Sequence, residues 1–431
     1  MNKRIGCVLL AAALFQGAMA QSGTNSPYSQ YGFGVLADQT TGFNRGMNGV
    51  GVGFREHNQV NPLNPASYSS IDSLTFILDA GVSAQITNFE ENGVKKNARN
   101  SDFEYVAASF RLMRGVGVSF GLLPFSNVGY NYSATNYLTA DKSTYYINNY
   151  AGDGGFHQVY FGTGIQLFKG LSVGANIGYL WGSYTRTITN AYSDPYVNSL
   201  VKVYSASVKN YKLDAGLQYS FNLGKKDKLT LGATYGFGHK LHANPECKLI
   251  SVNAQAGVSD TTMFVVDNGL ELPATISAGF SVNHNNSLRF GADYSLQKWA
   301  SIGFPDYTVE NGQQQYALNS NYFKDRHKFT VGADICKDES GRRYIDRVHL
   351  RAGFSYATPY LIINGQDGPK ELSATLGFGI PIINVYNNRS MLNISAQWSQ
   401  RSAASLIKEN TFRINIGITF NEKWFEKWKV R

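Results

Sequence analysis

Charge is scarce: only 16% of the 431 residues are Asp, Glu, Lys or Arg, against roughly 25% in ordinary globular chains. The deficit argues against a set of soluble domains. Prolines number 11 against 44 glycines, which suits many strands and few helices. No apolar run near the length of a membrane helix follows the extreme N-terminus, so a helical inner-membrane protein is excluded while a membrane β-barrel is not. The three cysteines are too few for a disulfide-built scaffold. Cys7 falls in a targeting segment, and whether Cys247 and Cys336 pair is left open. No basic run with interleaved aromatics occurs, so nucleic acid is not an expected partner.

What is present begins with that targeting segment. Lys3 and Arg4 precede the apolar run Ile5 to Phe15, and Ala18-Met19-Ala20 forms a small-x-small cleavage site. Residues 1–20 therefore read as a signal peptide, and the mature chain is expected to begin at Gln21. Losing two basic residues leaves 37 basic against 30 acidic, a mild excess that suits a membrane rich in lipid and lipopolysaccharide.

Period-two alternation then repeats along the whole chain. Leu74, Phe76, Leu78, Ala80, Val82, Ala84 and Ile86 alternate with Thr75, Ile77, Asp79, Gly81, Ser83, Gln85 and Thr87. At the far end Phe412, Ile414, Ile416, Ile418 and Phe420 alternate with Arg413, Asn415, Gly417 and Thr419. Twelve similar stretches lie between, near 103–113, 116–133, 156–168, 171–188, 204–223, 229–241, 272–283, 288–300, 326–337, 346–357, 371–381 and 390–402. These segments are about twice the usual length of a strand in a soluble sandwich or propeller. Short links, such as Met113–Gly115, Lys169–Gly170 and Gly224–Lys228, alternate with long ones at 134–155, 242–271 and 301–325. This is the loop asymmetry of a bacterial outer-membrane barrel. The predicted fold is all-β: a transmembrane antiparallel barrel of about fourteen strands in the outer membrane of a Gram-negative bacterium, with both chain ends in the periplasm.

Glycine recurs on the inward positions, including Gly117, Gly164, Gly174, Gly216, Gly232, Gly291, Gly332 and Gly353. Either something approaches the wall closely or the sheet bends there. Inward charges of both signs, Asp79, Arg111, Lys212, Asp214, Arg289, Asp293, Asp334, Arg351 and Arg413, suit docking of a plug better than selection of one ion sign. Residues 21–73 supply the candidate plug, rich in Gly, Asn and aromatics. Residues 74–420 form the barrel, and 421–431 a periplasmic tail carrying Trp424, Phe425 and Trp428.

Phe43-Asn44-Arg45-Gly46-Met47-Asn48-Gly49-Val50-Gly51-Val52, followed by Asn64-Pro65-Ala66, resembles the N-terminal hatch of FadL-type outer-membrane transporters of long-chain fatty acids and other hydrophobic compounds. Tyr294 to Trp299 and Leu350 to Pro359 are weaker matches, and the opening Ser26 to Gly34 looks like outer-membrane proteins of the Bacteroidetes type. The resemblance implies a fourteen-stranded barrel and assigns Arg45, Gly49, Asn64, Pro65 and Ala66 to the hatch motif. It also implies passive, plug-gated transport of hydrophobic small molecules with sideways release. Expected ligand contacts on the plug are Phe33, Phe43, Met47, Val50, Val52 and Phe54. Pro124 interrupts the third strand, where it cannot donate a ladder hydrogen bond, so Pro124 with Phe125 is the expected lateral portal.

Other expected partners are the barrel assembly machinery during biogenesis; the working state is read as a monomer. A barrel that grips a protein partner, similar to the type IX secretion shuttle, and a nonspecific porin remain as alternatives. No enzymatic constellation is apparent: His157, His327 and His349 fall on separate strands without a serine motif, and His239 and His242 are spaced for opposite strand faces. No metal or cofactor is expected.

Overall fold

The structure is a computed structural model that describes residues 23–194, 196–253, 255–339, 341–382 and 390–423. The predicted leader, most of the tail and the link at 383–389 lie outside the described residues. Fourteen strands form the wall. They are β1 Thr75–Glu91, β2 Val94–Met113, β3 Val116–Tyr137, β4 Tyr145–Phe168, β5 Leu171–Tyr192, β6 Ser199–Leu223 and β7 Asp227–Gly236. The ring continues with β8 Thr275–His284, β9 Leu288–Gln297, β10 Arg326–Cys336, β11 His349–Ala357, β12 Lys370–Ile382, β13 Ser390–Ser402 and β14 Lys408–Lys423. Each pairs antiparallel with its neighbours, and β1 pairs with β14 from Thr75↔Lys423 to Glu90↔Lys408. The ring of strands therefore closes on itself.

Alternation sets which side faces lipid. In β1, Ile77, Asp79, Gly81, Ser83 and Gln85 are buried inward, while Leu78, Val82 and Ile86 are exposed. Repeated around the ring, the exposed set forms an apolar outer band of the kind a bilayer covers.

The strands overrun the predicted spans at the rim opposite the barrel's ends. β2 begins at Val94 rather than near 103, and β3 and β4 approach each other at Tyr137↔Tyr145, converting most of the predicted 134–155 loop into hairpin. Beyond the apolar band both strand faces meet polar surroundings, so alternation vanishes although pairing continues. The turn joining β1 to β2 is Asn92-Gly93, with φ of 49° and 80°, the geometry a tight hairpin demands. Two predicted strands split instead: 229–241 becomes β7 plus His239–Leu241, and 272–283 becomes Leu270–Leu272 plus β8, the two short pieces pairing with each other. At the same rim Glu246–Asn253 and Val258–Val265 form an outer hairpin whose first strand pairs with the upper part of β6, and Phe304–Glu310 pairs with Gln313–Asn319.

Cys247 lies in that outer hairpin, whereas Cys336 ends β10 at the short-turn rim; both are free. Their positions at opposite rims explain why they do not meet.

Candidate functional site

The plug sits inside the barrel, and the inward glycines form its seat. Gly117, Gly164, Gly174 and Gly216 are register neighbours across β3, β4, β5 and β6. A methyl group on Gly117 would collide with the Tyr68 carbonyl, one on Gly174 with Pro65, and one on Gly216 with Asn64. Across this glycine shelf runs the short 3-10 helix Pro65–Ser70. Its Asn64 cap is fully buried: Oδ1 accepts from the Ala66 amide at 3.1 Å, and Nδ2 donates to the carbonyls of Val52 and Leu217 at 2.8 and 3.2 Å. Pro65 needs no amide partner in the first turn. The Asn-Pro-Ala motif is thus a capped helix start that also ties the plug to the wall.

A second shelf, Gly291, Gly332 and Gly353 on β9, β10 and β11, receives Phe54 and Met47. Phe43, Met47, Val50 and Phe54 pack together here at 0–2% exposure. The Phe43 and Phe54 rings are 5.7 Å apart, and the Arg351 guanidinium lies 5.2 Å from the Phe43 ring centre. On this second shelf, between Met47 and Val50, the chain turns through Asn48 and Gly49, with φ of 57° and 89°; at Gly49 a side chain would be strained.

Charged groups pin the plug. Asp293 on β9 accepts the amides of Gly51 at 2.6 Å and Val52 at 2.9 Å. Arg45 pairs with Glu104 at 2.8 Å, both about 5% exposed, and donates to the Asp38 and Thr40 carbonyls. Glu104 reaches it because β2 bulges: Gly81 faces Tyr105 and Val82 faces Phe103, leaving Glu104 as an extra residue buried beside Tyr105. At the short-turn rim Arg289 meets Glu56 of the plug at 3.4 Å, Asp334 at 3.4 Å, and Glu339. Of the other predicted inward charges, Arg351 approaches Asp334 at 3.6 Å, Arg413 approaches Glu104 at 3.7 Å and Lys212 pairs with Asp214 at 2.5 Å. Asp79 accepts from Tyr105, and Arg111 lies half-exposed, donating to the Met113 carbonyl.

A cavity of about 270 Å³ remains beside the plug, bordered by Asp38, Glu371, Lys328, Arg326, Arg401 and Arg413 among others. These charges largely neutralise one another: Arg401–Glu371 at 3.0 Å, Lys328–Asp38 at 3.2 Å and Arg326–Glu371 at 4.0 Å. Asp38 keeps about a third of its side chain exposed. Burial works against its charge, yet Lys328, Arg45 and Arg413 hold its carboxyl below the usual carboxylate range.

The cavity backs onto a seam in the wall. β2 and β3 pair from Met113↔Val116 only as far as Val106↔Leu122, although both strands continue well beyond. Pro124 stands two residues past the last pair, and Phe125 is an extra residue between Pro124↔His157 and Ser126↔Phe156 on the β4 side. The missing N–H and the bulge together turn β3 away from β2. The opening is filled from inside by the plug: Val35 and Leu36 pair with Asn127 and Ser126, and the Ala37 amide donates to the Phe125 carbonyl at 3.0 Å. Asn127 Nδ2 reaches across the seam to Asp102 at 3.1 Å.

A family model described as BamG matches residues 1–431. The chain belongs to the BamG family. No curated protein matches this BamG-family sequence. Among solved structures it is similar to the Ralstonia pickettii toluene transporter TbuX, at 14% identity over 89% of this chain and 99% of that one, with a TM-score of 0.62. The Pseudomonas putida toluene transporter TodX is 15% identical over 91% and 100%, with a TM-score of 0.61. A Pseudomonas aeruginosa FadL homologue is 13% identical over 90% and 99%, with a TM-score of 0.60. The fourteen-stranded FadL-type outer-membrane barrel expected from the hatch motif is thereby borne out as a fold.

The predicted site residues do not gather in one place. Phe43, Met47, Val50 and Phe54 form the plug's own core. Val52 alone of the six borders the cavity. Phe33 sits higher, in an aromatic cluster with Phe125, Phe156, Trp299 and Phe304 at ring separations of 5.7–6.3 Å. Arg45, Gly49 and Asn64 to Ala66 hold the plug's shape and its contacts, while Pro124 and Phe125 mark the seam. Glu104, Tyr105 and the Val35-Leu36 strand were not singled out from sequence. The parity of the outward apolar residues, odd at Phe103 and even at Val106 and Phe110, is the signal that betrays the β2 bulge.

Proposed function

We propose that this BamG-family chain is an outer-membrane barrel that works by holding a protein partner, with its lumen kept closed by the plug. The observation that carries this reading is how the plug is seated. Its backbone lies on two glycine shelves too close for any side chain, and its polar groups are bonded to buried acids and bases of the wall. Withdrawing it would take from Asp293 its two amide donors and from Glu104 its closest base, Arg45, together at a cost of several kcal/mol. A gate meant to open on contact with a small apolar molecule gains too little from that molecule to meet such a cost. The family name, BamG, points toward the barrel assembly machinery, here as a working partner rather than only during biogenesis. In this reading residues 1–20 are a removed leader, 21–73 the plug, 74–420 the barrel and 421–431 a tail, with the short-turn rim toward the periplasm.

The test is native mass spectrometry of the full-length protein extracted from its own outer membrane in mild detergent, with lipid extraction of the same sample. A stoichiometric protein partner with no retained apolar molecule is the expected result. A stoichiometric apolar ligand without any partner overturns the reading.

One observation favours a second reading: the cavity lies directly behind a seam closed only by the Val35-Leu36 strand and side chains. With the names of the similar structures, which include toluene transporters, this supports a passive channel for hydrophobic molecules with lateral release near Pro124. In that reading Val52 meets the ligand first, and Phe33, Phe43, Met47, Val50 and Phe54 only after the plug shifts. Replacing Pro124 by Val restores an amide and closes the seam; unchanged uptake in a folded variant removes support for lateral release.

A further inference from the structure

Three consecutive turns of the short-turn rim share one pattern. The turn from β2 to β3 follows Leu112-Met113 with Arg114, that from β4 to β5 follows Leu167-Phe168 with Lys169, and that from β6 to β7 follows Leu223-Gly224 with Lys225-Lys226. In the first two a bulge falls at the same place: Leu112 is an extra residue between Arg111↔Gly117 and Met113↔Val116, and Leu167 one between Gln166↔Ser172 and Phe168↔Leu171. A bulge at a barrel rim re-aims the side chains beside it. Here it leaves two apolar residues in succession exposed, Leu112 and Met113 at 58% and 60%, Leu167 and Phe168 at 57% and 60%. Leu223 is similarly exposed at the end of β6.

Charge along this arc is one-sided. Arg111, Arg114, Lys169, Lys225, Lys226 and Lys228 stand against one acid, Asp227, whose carboxylate lies 2.6 Å from the His284 ring. Arg114, Lys169, Lys225 and Lys226 are exposed. The link between β10 and β11 is different, because it neutralises itself: Asp346 pairs with Lys337 at 3.2 Å and Arg343 at 3.0 Å, and Glu339 with Arg289. The arc is also tied along its length by backbone hydrogen bonds. The Gly115 carbonyl accepts from the Gln166 amide at 2.7 Å, that of Gly170 from Ser220 at 2.8 Å, and that of Lys226 from Asn285 at 2.8 Å. Neighbouring turns stand two strands apart, roughly 10–13 Å along a tilted rim, so bases from two turns can close on one phosphate from either side.

We propose that this arc binds anionic phospholipid, with the acyl chains against Leu112, Met113, Leu167, Phe168 and Leu223 and the phosphate between bases of neighbouring turns. With this rim toward the periplasm, as in the reading above, the lipid belongs to the periplasmic leaflet. The inference rests on that orientation and on neither account of what the lumen does. Adjacency of greasy and basic groups selects the occupant. An acidic protein would answer the bases and leave the apolar pairs in water. A zwitterionic lipid would cover the apolar pairs and leave the excess of base unanswered. An anionic lipid meets both.

The test is native mass spectrometry of the full-length protein in mild detergent, offered phosphatidylglycerol and phosphatidylethanolamine with identical acyl chains. Phosphatidylglycerol should be held roughly a hundredfold more tightly, at about fivefold for each of three bases engaged. The triple variant Arg114→Gln, Lys169→Gln, Lys225→Gln, checked for folding by heat-modifiable gel mobility, should hold the two lipids alike, and Lys169→Gln alone should lose about a fivefold share of the preference. The charge-keeping variant Arg114→Lys, Lys169→Arg, Lys225→Arg should retain it. Equal retention of the two lipids by the parent, or a preference that survives in the folded triple variant, overturns the proposal. Preferential retention of lipopolysaccharide, lost in the triple variant, overturns the orientation and the proposal together. An acidic protein released by the triple variant, with lipid retention unchanged, overturns the choice of lipid.

Discussion

Asp293→Ala is the sharpest probe of whether the plug is locked. The carboxylate accepts two plug amides, Gly51 at 2.6 Å and Val52 at 2.9 Å, at a site where Asp293 is only 8% exposed. Truncation leaves both N–H groups buried without that acceptor, at about 1–3 kcal/mol each. Part of this is recovered because the variant no longer buries a charge, so a net loss of about 3 kcal/mol in plug docking is expected. At about 1.4 kcal/mol per decade, the unseated fraction should rise roughly a hundredfold. Single-barrel conductance in planar bilayers reads this directly: the parent should stay closed, and the variant should show opening events at a frequency higher by about that factor. Asp293→Asn, which keeps an acceptor oxygen without the charge, should fall between them. A folded Asp293→Ala barrel that opens no more often than the parent refutes the claim that these two bonds hold the plug.

Other outcomes follow from the same geometry. Gly117→Val places a side chain where the Tyr68 carbonyl lies; it should unseat the Pro65–Ser70 helix and speed proteolysis of the plug, with a penalty above the usual 1–3 kcal/mol of overpacking, roughly, because backbone cannot step aside as a rotamer does. Pro124→Val should extend the β2–β3 ladder past Val106↔Leu122 and slow hydrogen exchange at Phe103 to Tyr105. Asp38 has a lowered folded pKa, so its stabilising contact with Lys328 is fully present above the ordinary carboxylate range and is lost only as pH falls below it. The Asp38 carboxyl should accordingly stay ionised at both pH 7 and pH 5, read from its carbon-13 shift, and Lys328→Met should move its protonation upward. Unreduced, denatured mature protein should titrate as two thiols, Cys247 and Cys336.

The wall was legible in the sequence because a bilayer on one side and a packed lumen on the other impose period two on every residue between them. Legibility ended where one of those two conditions failed. Past the apolar band, β2 runs on from Val94 and β4 from Tyr145 with polar residues on both faces, and pattern alone cannot separate such strands from loop. The glycines gave half an answer: their inward recurrence called for either curvature or a close neighbour, and only the plug's position over Gly117, Gly174 and Gly232 decides for the neighbour. The apolar plug residues were ambiguous for a related reason. A side chain that packs against its own segment and one that waits for a ligand look the same in sequence, since both are hydrophobic and irregularly spaced. What the structure adds for Phe43 and Met47 is that they pack against Arg351, Gly332 and Gly353 of the wall. Pro124 was readable because proline has one unambiguous deficit, the missing N–H, whereas the consequence, a plug strand at Val35-Leu36 filling the gap, depends on what lies nearly ninety residues away. A plug that both completes the wall and is pinned by buried charges can leave its seat only by breaking those contacts, which is what the conductance of Asp293→Ala reads.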